Sequence, residues 1–237
     1  MKPPRHGVAR EISKLGLGSR TQAAQWVRAG RVRVNGKVVL DAEFPVRQGQ
    51  DQVDVSGQDA APAARVVLML NKPRGLVTTT QDEHGRATVY SCLADAALPW
   101  LAPVGRLDKA SEGLLLFSND PAWAARITDP ASAVEKTYHV QIDRLPDAAL
   151  LAALQRGIAV DGEHLSVRAA RCLRSGGKNA WLEVVLSEGR NRQIRRLLAA
   201  IEVSVLRLVR VAIGPLSLGK LPKGQWRMVT EREIDSL

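Results

Sequence analysis

The order of apolar segments after residue 65 is the feature that most limits what this chain can fold into. Strand-like runs lie near residues 66–70, 76–80, 113–118, 135–142, 164–173, 180–187 and 203–213. Helical patterns lie near residues 121–128, 146–155 and 190–200. Strands and helices do not alternate strictly, so the order favours a mixed, mainly antiparallel sheet over a doubly wound parallel one. The sequence therefore predicts an α+β fold in which helices flank this sheet.

The first forty residues predict a smaller, separate module. Residues 8–17 fit a short helix that closes at Gly16 or Gly18, and Ser19 with Gln22 has the spacing of a capping box for a second helix that Gly30 ends. Residues 32–39 alternate apolar and polar around Asn35-Gly36, a dipeptide typical of tight hairpins because both turn positions need positive φ. We expect two helices followed by a hairpin.

The segment from residue 58 to residue 65 separates the two patterns. It has no periodic apolar positions and contains Pro62, as is typical of a linker. We therefore predict a small domain at residues 1–60, a linker at residues 61–65 and a larger domain at residues 66–237.

The positive charge is concentrated at the N-terminal end. The chain has a formal net charge of +10, and residues 1–37 hold nine Lys and Arg residues against one acid, Glu11. Clustered basic residues are typical of proteins that bind a polyanion, above all nucleic acid. Charge by itself leaves open a merely basic enzyme, but this distribution favours nucleic acid.

Composition argues against several other classes. Cys92 and Cys172 are far apart and lack metal-ligand spacing, so we expect no disulfide framework and no zinc site, and we expect both to be small buried side chains in a reducing cytosol. The four histidines are scattered, so no metal is expected. Apolar runs are strand-sized, which predicts a soluble cytoplasmic protein without a membrane partner.

Three positions could carry chemistry, although each also has an ordinary structural explanation. Asp108 lies in a probable loop after an apolar stretch, where an acid is more often a turn or cap residue. Tyr138 lies on a predicted strand, where an aromatic residue is more often part of the core. A helix over residues 190–201 would bury Ile194 and its apolar neighbours, place Arg195 beside that stripe where it can reach a cleft, and direct Arg192 and Arg196 towards solvent or phosphate.

Several motifs together resemble one family. They are Leu70-Asn71-Lys72-Pro73-Arg74-Gly75, Gly105-Arg106-Leu107-Asp108, Glu112-Gly113-Leu114-Leu115-Leu116, Glu135-Lys136-Thr137-Tyr138 and residues 188–196, Glu-Gly-Arg-Asn-Arg-Gln-Ile-Arg-Arg. In this order and spacing the chain resembles the bacterial ribosomal RNA pseudouridine synthases of the RsuA family. The N-terminal module, with Gly18-Ser19-Arg20 and residues 30–36, is similar to the alpha-L RNA-binding domain shared with a small-subunit ribosomal protein.

The resemblance implies a mechanism and a set of site residues. It implies that Asp108 is the essential carboxylate, that Tyr138 stacks on the uracil or abstracts a proton from it, and that Arg195 pairs with Asp108. It further implies that Arg106 fills the gap left by a flipped-out base. Isomerisation of uridine needs no redox change and no group donor, so no cofactor is expected. The other basic residues that we expect to contact RNA are Lys72, Arg190, Arg192, Arg196, Arg20, Arg31 and Arg33.

The partner implied is ribosomal RNA. Residues 216–227 resemble those of family members that act on large-subunit (23S) rRNA, and nothing in the sequence suggests a dimerisation device, so a monomer is expected. One alternative is a non-catalytic RNA-binding protein of ribosome assembly, which would be expected to lose Asp108 first. The other alternative, an RNA methyltransferase, would need a glycine-rich loop after a strand, whereas Gly16-Leu17-Gly18 lies between two predicted helices.

Overall fold

The computed structural model describes residues 5–56, 64–80, 82–94 and 96–237. The chain divides into two compact units, of which one comprises residues 1–67, 95–102 and 117–123 and the other residues 68–94, 103–116 and 124–237. Residues 61–63 of the expected linker at residues 61–65 lie outside the described residues, so the domain bounds 1–60, 61–65 and 66–237 stay predictions. Within the described ranges, every helix is too short or too polar to cross a lipid bilayer.

Residues 5–55 form the N-terminal module in the first unit. Its helices are α1 (Val8–Lys14) and α2 (Arg20–Arg28), and its strands are β1 (Arg5–Gly7), β2 (Val32–Val34), β3 (Lys37–Val38), β4 (Pro45–Arg47) and β5 (Val53–Val55). Strand β2 pairs with both β3 and β5, and β1 pairs with β4. The two helices and the hairpin are therefore confirmed, and three further strands extend the module.

Local sequence signals explain how this module is built. The Ser19 hydroxyl accepts from the Gln22 backbone N–H at 3.1 Å, and the Gln22 side chain accepts from the Ser19 N–H at 3.0 Å. Asn35 and Gly36 adopt φ of +50° and +80°, which a two-residue turn of the I′ type requires. Apolar residues from both helices and from β2, including Ile12, Val27 and Val32, share one buried core.

A nine-stranded sheet organises the rest of the chain. Its strands are β6 (Val67–Lys72), β7 (Ala102–Val104), β8 (Glu112–Ser118), β9 (Lys136–Ile142), β12 (Ala169–Ser175), β13 (Ala180–Leu186), β14 (Val205–Ile213), β15 (Leu216–Ser217) and β16 (Trp226–Met228). A separate hairpin joins β10 (Ile158–Val160) to β11 (Glu163–Leu165). The helices are α3 (Pro121–Thr128), α4 (Ala148–Arg156), α5 (Gln193–Ala199) and α6 (Glu231–Asp235).

The sheet is mixed and mainly antiparallel, as predicted. Its main path runs β12-β13-β9-β14-β8-β6-β16. Strands β12, β13, β9 and β14 pair antiparallel in that order, whereas β14 and β8 pair parallel. Helix α4 packs against β12 and α5 packs against β14. The α+β fold class is confirmed.

One glycine allows two of these strands to lie unusually close together. Gly113 on β8 has φ of +101°, and a Cβ at this position would lie 2.2 Å from the carbonyl oxygen of Arg210 on β14. A side chain cannot fit there, because contacts this short are strongly repulsive. The parallel pairing of β8 with β14 therefore depends on glycine at position 113.

Several local predictions were wrong. Residues 76–80 form no strand, because Val77 makes only an isolated bridge to Thr88. The segment 164–173 is split between β11 and β12, which belong to different sheets. Helix α5 begins at Gln193 rather than residue 190, and α4 begins at Ala148, with Asp147 as its N-cap, rather than at residue 146. Cys172 is exposed and Cys92 is partly buried, since Cys172 lies on the edge strand β12.

Candidate active site

A cavity of about 950 Å³ opens in the second unit. Its wall includes the loop around Asp108, Tyr138 on β9, Arg210 on β14 and the segment leading into α5. Asp108 and Tyr138 are far apart in sequence, and the fold brings both to this one cavity. A carboxylate, a tyrosine and several cations therefore face the same space.

The loop that carries Asp108 joins β7 to β8 and is fixed by backbone and side-chain contacts. Gly105 has φ of +74°, which turns the chain at the end of β7. The Thr78 hydroxyl donates to the Leu107 carbonyl at 2.8 Å and accepts from the Leu107 N–H at 3.3 Å. The Ser111 N–H donates to the Asp108 carbonyl at 2.9 Å. Asp108 therefore occupies a defined position, with its side chain 36% exposed.

Lys72 lies beneath this loop and not on the cavity surface. It is 0% exposed, and its ammonium donates to three carbonyl oxygens, those of Pro73 at 3.1 Å, Asp108 at 3.2 Å and Ser111 at 2.8 Å. Burial lowers the pKa of Lys72 to about 8, and the carboxylates of Asp108 and Glu112 oppose this shift. The expectation that Lys72 contacts RNA was wrong, because its position at the end of the buried strand β6 turns it into the protein.

The direct cationic partner of Asp108 is Arg192. Its Nη1 lies 3.5 Å from Asp108 Oδ2 in a half-exposed ion pair. A regular helix over residues 190–201 would direct Arg192 towards solvent or phosphate. Arg192 is instead the N-cap of α5 and has a left-handed backbone with φ of +48°, so the helical projection does not apply to it.

Arg195 supports the same loop without touching the carboxylate. Its guanidinium donates to the carbonyls of Ala110 and Val205, both at 3.4 Å. Burial and the nearby charge of Arg192 lower the pKa of Arg195, and the charge of Asp108 opposes this. The expected direct pair of Arg195 with Asp108 is therefore corrected, since α5 directs Arg195 towards the loop backbone.

Tyr138 and Arg106 both line the cavity, but their exposure differs. Tyr138 is 9% exposed on β9, between Val184 on β13 and Arg210 on β14. Arg106 is exposed and makes no hydrogen bond or ion pair with any described residue. An unpaired arginine at the rim of a cavity is available to a ligand that enters it.

The other arginines near α5 are held by carboxylates. Arg196 lies 2.6 Å from Glu163 and 3.2 Å from Asp161 on the β10–β11 hairpin. Arg190 lies 3.0 Å from Glu188 and 3.8 Å from Glu163. Arg190 lines the cavity, whereas Arg196 does not. Their expected RNA contacts would have to compete with these ion pairs.

The three arginines expected to bind RNA in the N-terminal module are exposed. Arg31 lies 5.9 Å from the centre of the Trp26 ring and donates to the Ser56 carbonyl at 3.1 Å. Arg33 donates to the Gly36 carbonyl in the hairpin turn at 3.1 Å. Arg20 opens helix α2. Each contact leaves the arginine at the surface, where it can meet phosphate.

Sequence reasoning missed Thr78, Ser111, Lys136 and Arg210. Thr78 fixes the loop backbone, and Ser111 has a buried hydroxyl without a hydrogen-bond partner among the described residues. Lys136 and Arg210 lie on neighbouring strands and line the cavity. The strand alternation that places Tyr138 inward also places Lys136 inward, so this residue could have been found from the sequence.

Known proteins share both parts of this chain. A family model described as RNA pseudouridylate synthase matches residues 66–200, and an S4 domain model matches residues 10–53. Ribosomal large subunit pseudouridine synthase B of Bacillus subtilis strain 168 is 34% identical over 228 residues, covering 95% of this chain and 93% of that protein. The protein of the same name from Escherichia coli K12 is 37% identical over 222 residues, covering 91% and 76%.

A solved structure supports the same grouping. It is described as a crystal structure of pseudouridylate synthase, and its sequence is 30% identical to this chain. The match covers 97% of this chain and 98% of the solved chain, with a TM-score of 0.66. The family model spans more than half of the 237 residues. The residues that the family model matches include Asp108, Tyr138 and the arginines of α5. This chain belongs to the RNA pseudouridylate synthase family, and its N-terminal module is an S4 domain.

Proposed function

We propose that this enzyme converts one uridine of large-subunit (23S) ribosomal RNA to pseudouridine, with Asp108 as the catalytic carboxylate. The observation that carries the proposal is the position of Asp108, partly exposed in a cavity that Tyr138 also lines and held 3.5 Å from Arg192. The named relatives from two bacteria support the large subunit as the target. A cytoplasmic site of action follows from that substrate.

The reaction breaks the bond between uracil N1 and ribose C1′ and makes a bond between C5 and C1′. The base must leave its stack to turn, at a cost of roughly a few kcal/mol that protein contacts offset. Arg106, exposed at the rim and unpaired among the described residues, is suited to take the place of the departed base. The cavity is large enough for one nucleotide.

Asp108 must be ionised to attack the sugar or to stabilise positive charge on it. A cation in contact with a carboxylate offsets its negative charge and fixes its orientation. Arg192 supplies that cation directly. Arg195 acts through the loop, because its hydrogen bond to the Ala110 carbonyl holds the chain two residues after Asp108.

Tyr138 supplies the flat wall of the pocket. It is almost completely buried with its ring between two strands, so its orientation is set by the sheet. A ring held in this way can stack on the uracil, and its hydroxyl can help to remove the proton from C5. We propose that the enzyme acts as a monomer, because nothing in the sequence suggests a dimerisation device.

The test is pseudouridine mapping of ribosomal RNA from strains in which the gene is intact, deleted, or altered to Asp108→Asn. We expect one modified site in large-subunit RNA to disappear in both altered strains. Glu83→Gln is the matched control, because Glu83 is an exposed carboxylate that lines the same cavity. Full modification in the Asp108→Asn strain would refute the role of Asp108, and loss of a small-subunit site would refute the proposed target.

A further inference from the structure

Two cations lie side by side on the cavity wall formed by β9 and β14. Lys136 is two residues before Tyr138 on β9, and Arg210 is the direct cross-strand partner of Tyr138. Alternation along a strand and direct pairing across strands place all three side chains on one face of the sheet. Each of the three lines the cavity.

Arg210 is buried and incompletely hydrogen-bonded. It is 6% exposed, and its Nε donates to the Leu114 carbonyl at 2.7 Å. Its Nη2 is buried without a hydrogen-bond partner among the described residues. Nearly all buried polar groups in proteins have a partner, and an unpaired one is costly. A ligand that enters the cavity can supply the missing acceptor.

The side chain of Lys136 is partly buried and makes no hydrogen bond or ion pair with any described residue. Burial lowers the pKa of Lys136, and the charge of Arg210 lowers it further. Two like charges in a partly desolvated wall repel each other, and no Asp or Glu of the described chain lies within 4 Å of either. The other described cations at the α5 side of the cavity, Arg190 and Arg192, each have a carboxylate partner.

We propose that Lys136 and Arg210 bind a carbonyl oxygen of the flipped uracil and stabilise the negative charge that the ring carries while it is detached. This inference rests on the proposed function. The depth of the site favours the base over the RNA backbone: Arg210 is almost inaccessible, so a base inserted into the cavity reaches it more readily than a phosphate at the rim. Exposed cations such as Lys109, which also lines the cavity, are better placed for phosphate.

These two cations can stabilise negative charge that develops on the uracil ring during the reaction. When the bond from C1′ to N1 breaks, its electron pair stays on the ring, and the negative charge spreads over N1 and the carbonyl oxygens. The positive charge remains on the sugar, where Asp108 acts. After the ring turns, C5 bonds to C1′, the proton on C5 leaves and N1 gains a proton, so the composition is unchanged. Donors fixed where charge develops give large rate effects.

The test uses a short synthetic RNA that contains the mapped uridine, with uridine, 2-thiouridine or 4-thiouridine at that position. Sulfur is a weak hydrogen-bond acceptor, so each thio-RNA removes one carbonyl contact. Single-turnover rates at saturating RNA, RNA affinity and its salt dependence are measured for wild type, Lys136→Met, Lys136→Arg and Arg210→Gln. Lys178→Met is the control, because Lys178 is exposed in the β12–β13 turn and does not line the cavity.

We expect Lys136→Met to lower the rate on the uridine RNA about 100-fold without changing RNA affinity or its salt dependence. Lys136→Arg retains the charge and should recover part of the rate. One of the two thio-RNAs should slow wild type strongly but slow Lys136→Met much less, because the contact is already missing. The Lys136 side chain has no hydrogen bond or ion pair to lose among the described residues, so this variant remains informative if Arg210→Gln fails to fold.

Three results would overturn the inference. The first is an unchanged rate for Lys136→Met. The second is that each thio-RNA slows wild type and Lys136→Met by the same factor. The third is a weaker affinity with a shallower salt dependence, which would assign the two cations to a backbone phosphate. Failure of wild type to convert the uridine RNA would instead refute the proposed function.

Discussion

Buried cations are hydrogen-bonded differently in two regions of the second unit. One region lies beneath the loop that carries Asp108 and is called the floor; the other is the cavity wall formed by β9 and β14. On the floor, Lys72 is fully buried and donates to three carbonyl oxygens. On the wall, Lys136 and Arg210 are partly or fully buried, and only Arg210 Nε has a protein acceptor among the described residues. Both arrangements have a desolvation cost. The contacts of Lys72 fix the loop, whereas on the wall most donors have no acceptor among the described residues.

The largest effect expected from this comparison is that of Lys72→Met. It removes the donor to three carbonyls, of which those of Asp108 and Ser111 belong to the loop that carries Asp108. We expect the free energy of unfolding to fall by about 4 kcal/mol and pseudouridine formation to be lost. Urea denaturation and the single-turnover assay measure the two effects. A loss of less than about 1 kcal/mol would show that the floor does not depend on this ammonium.

The next effect is a dependence of stability on pH. The pKa of Lys72 is about 8 in the folded protein and 10.5 for an ordinary lysine, so between these values the unfolded state binds more protons. The free energy of unfolding therefore rises as pH rises from about 8 to 10.5, and Lys72 contributes up to roughly 3 kcal/mol of this increase. The increase is lost as pH falls through about 8.

This dependence can be isolated by comparing wild type with Lys72→Met in urea at pH 7, 8.5 and 10. The other titrating groups are common to both proteins. The gap between their unfolding free energies should widen as pH rises. A gap that narrows above pH 8 would contradict the lowered pKa of Lys72.

A smaller effect is expected from Gly113→Ala, which tests the close packing of β8 against β14, one of the two strands that form the wall. The new Cβ would meet the Arg210 carbonyl at 2.2 Å, and φ of +101° is strained for alanine. We expect a loss of about 2 kcal/mol in the free energy of unfolding. Gly177→Ala is the control, because nothing lies within 4 Å of its added Cβ. Equal stability of the two variants would argue against a close approach of β8 to β14.

The smallest effect on stability is expected from Lys136→Met. This change removes a partly buried charge that has no described partner and that repels Arg210. The free energy of unfolding should stay within about 1 kcal/mol of wild type, or rise slightly. Thermal and urea unfolding beside Lys72→Met give the comparison directly. A loss as large as that of Lys72→Met would mean that the wall, like the floor, is a structural ion site.

Features that depend on neighbouring residues were predicted well from the sequence. The capping box of Ser19 and Gln22, the Asn35-Gly36 turn and helix α3 at residues 121–128 all follow from short patterns. The expected α+β fold followed from the order of such patterns. The motifs also brought out Asp108 and Tyr138, which the structure places in one cavity.

Features that depend on distant residues were not predictable in this way. Nothing near Lys72 in the sequence shows that three carbonyls from two segments surround its ammonium. The left-handed backbone of Arg192 breaks the helical period that predicted Arg192 to face solvent or phosphate. The unpaired Nη2 of Arg210 depends on how β14 packs against β8. Catalytic roles for Asp108, Tyr138, Arg192 and Arg195 stay proposals.

The pairing of β6 with β16 has a consequence for the order in which the protein can fold during synthesis. The elements between residues 5 and 55 pair with one another, so the ribosome releases all of their partners together. Strand β6, every residue of which is buried, pairs with residues 226–228, roughly 150 residues later. At about 5–20 residues per second, that edge waits roughly 8–30 s for its partner. Until translation reaches residue 228, an apolar strand edge is open to aggregation or to a chaperone.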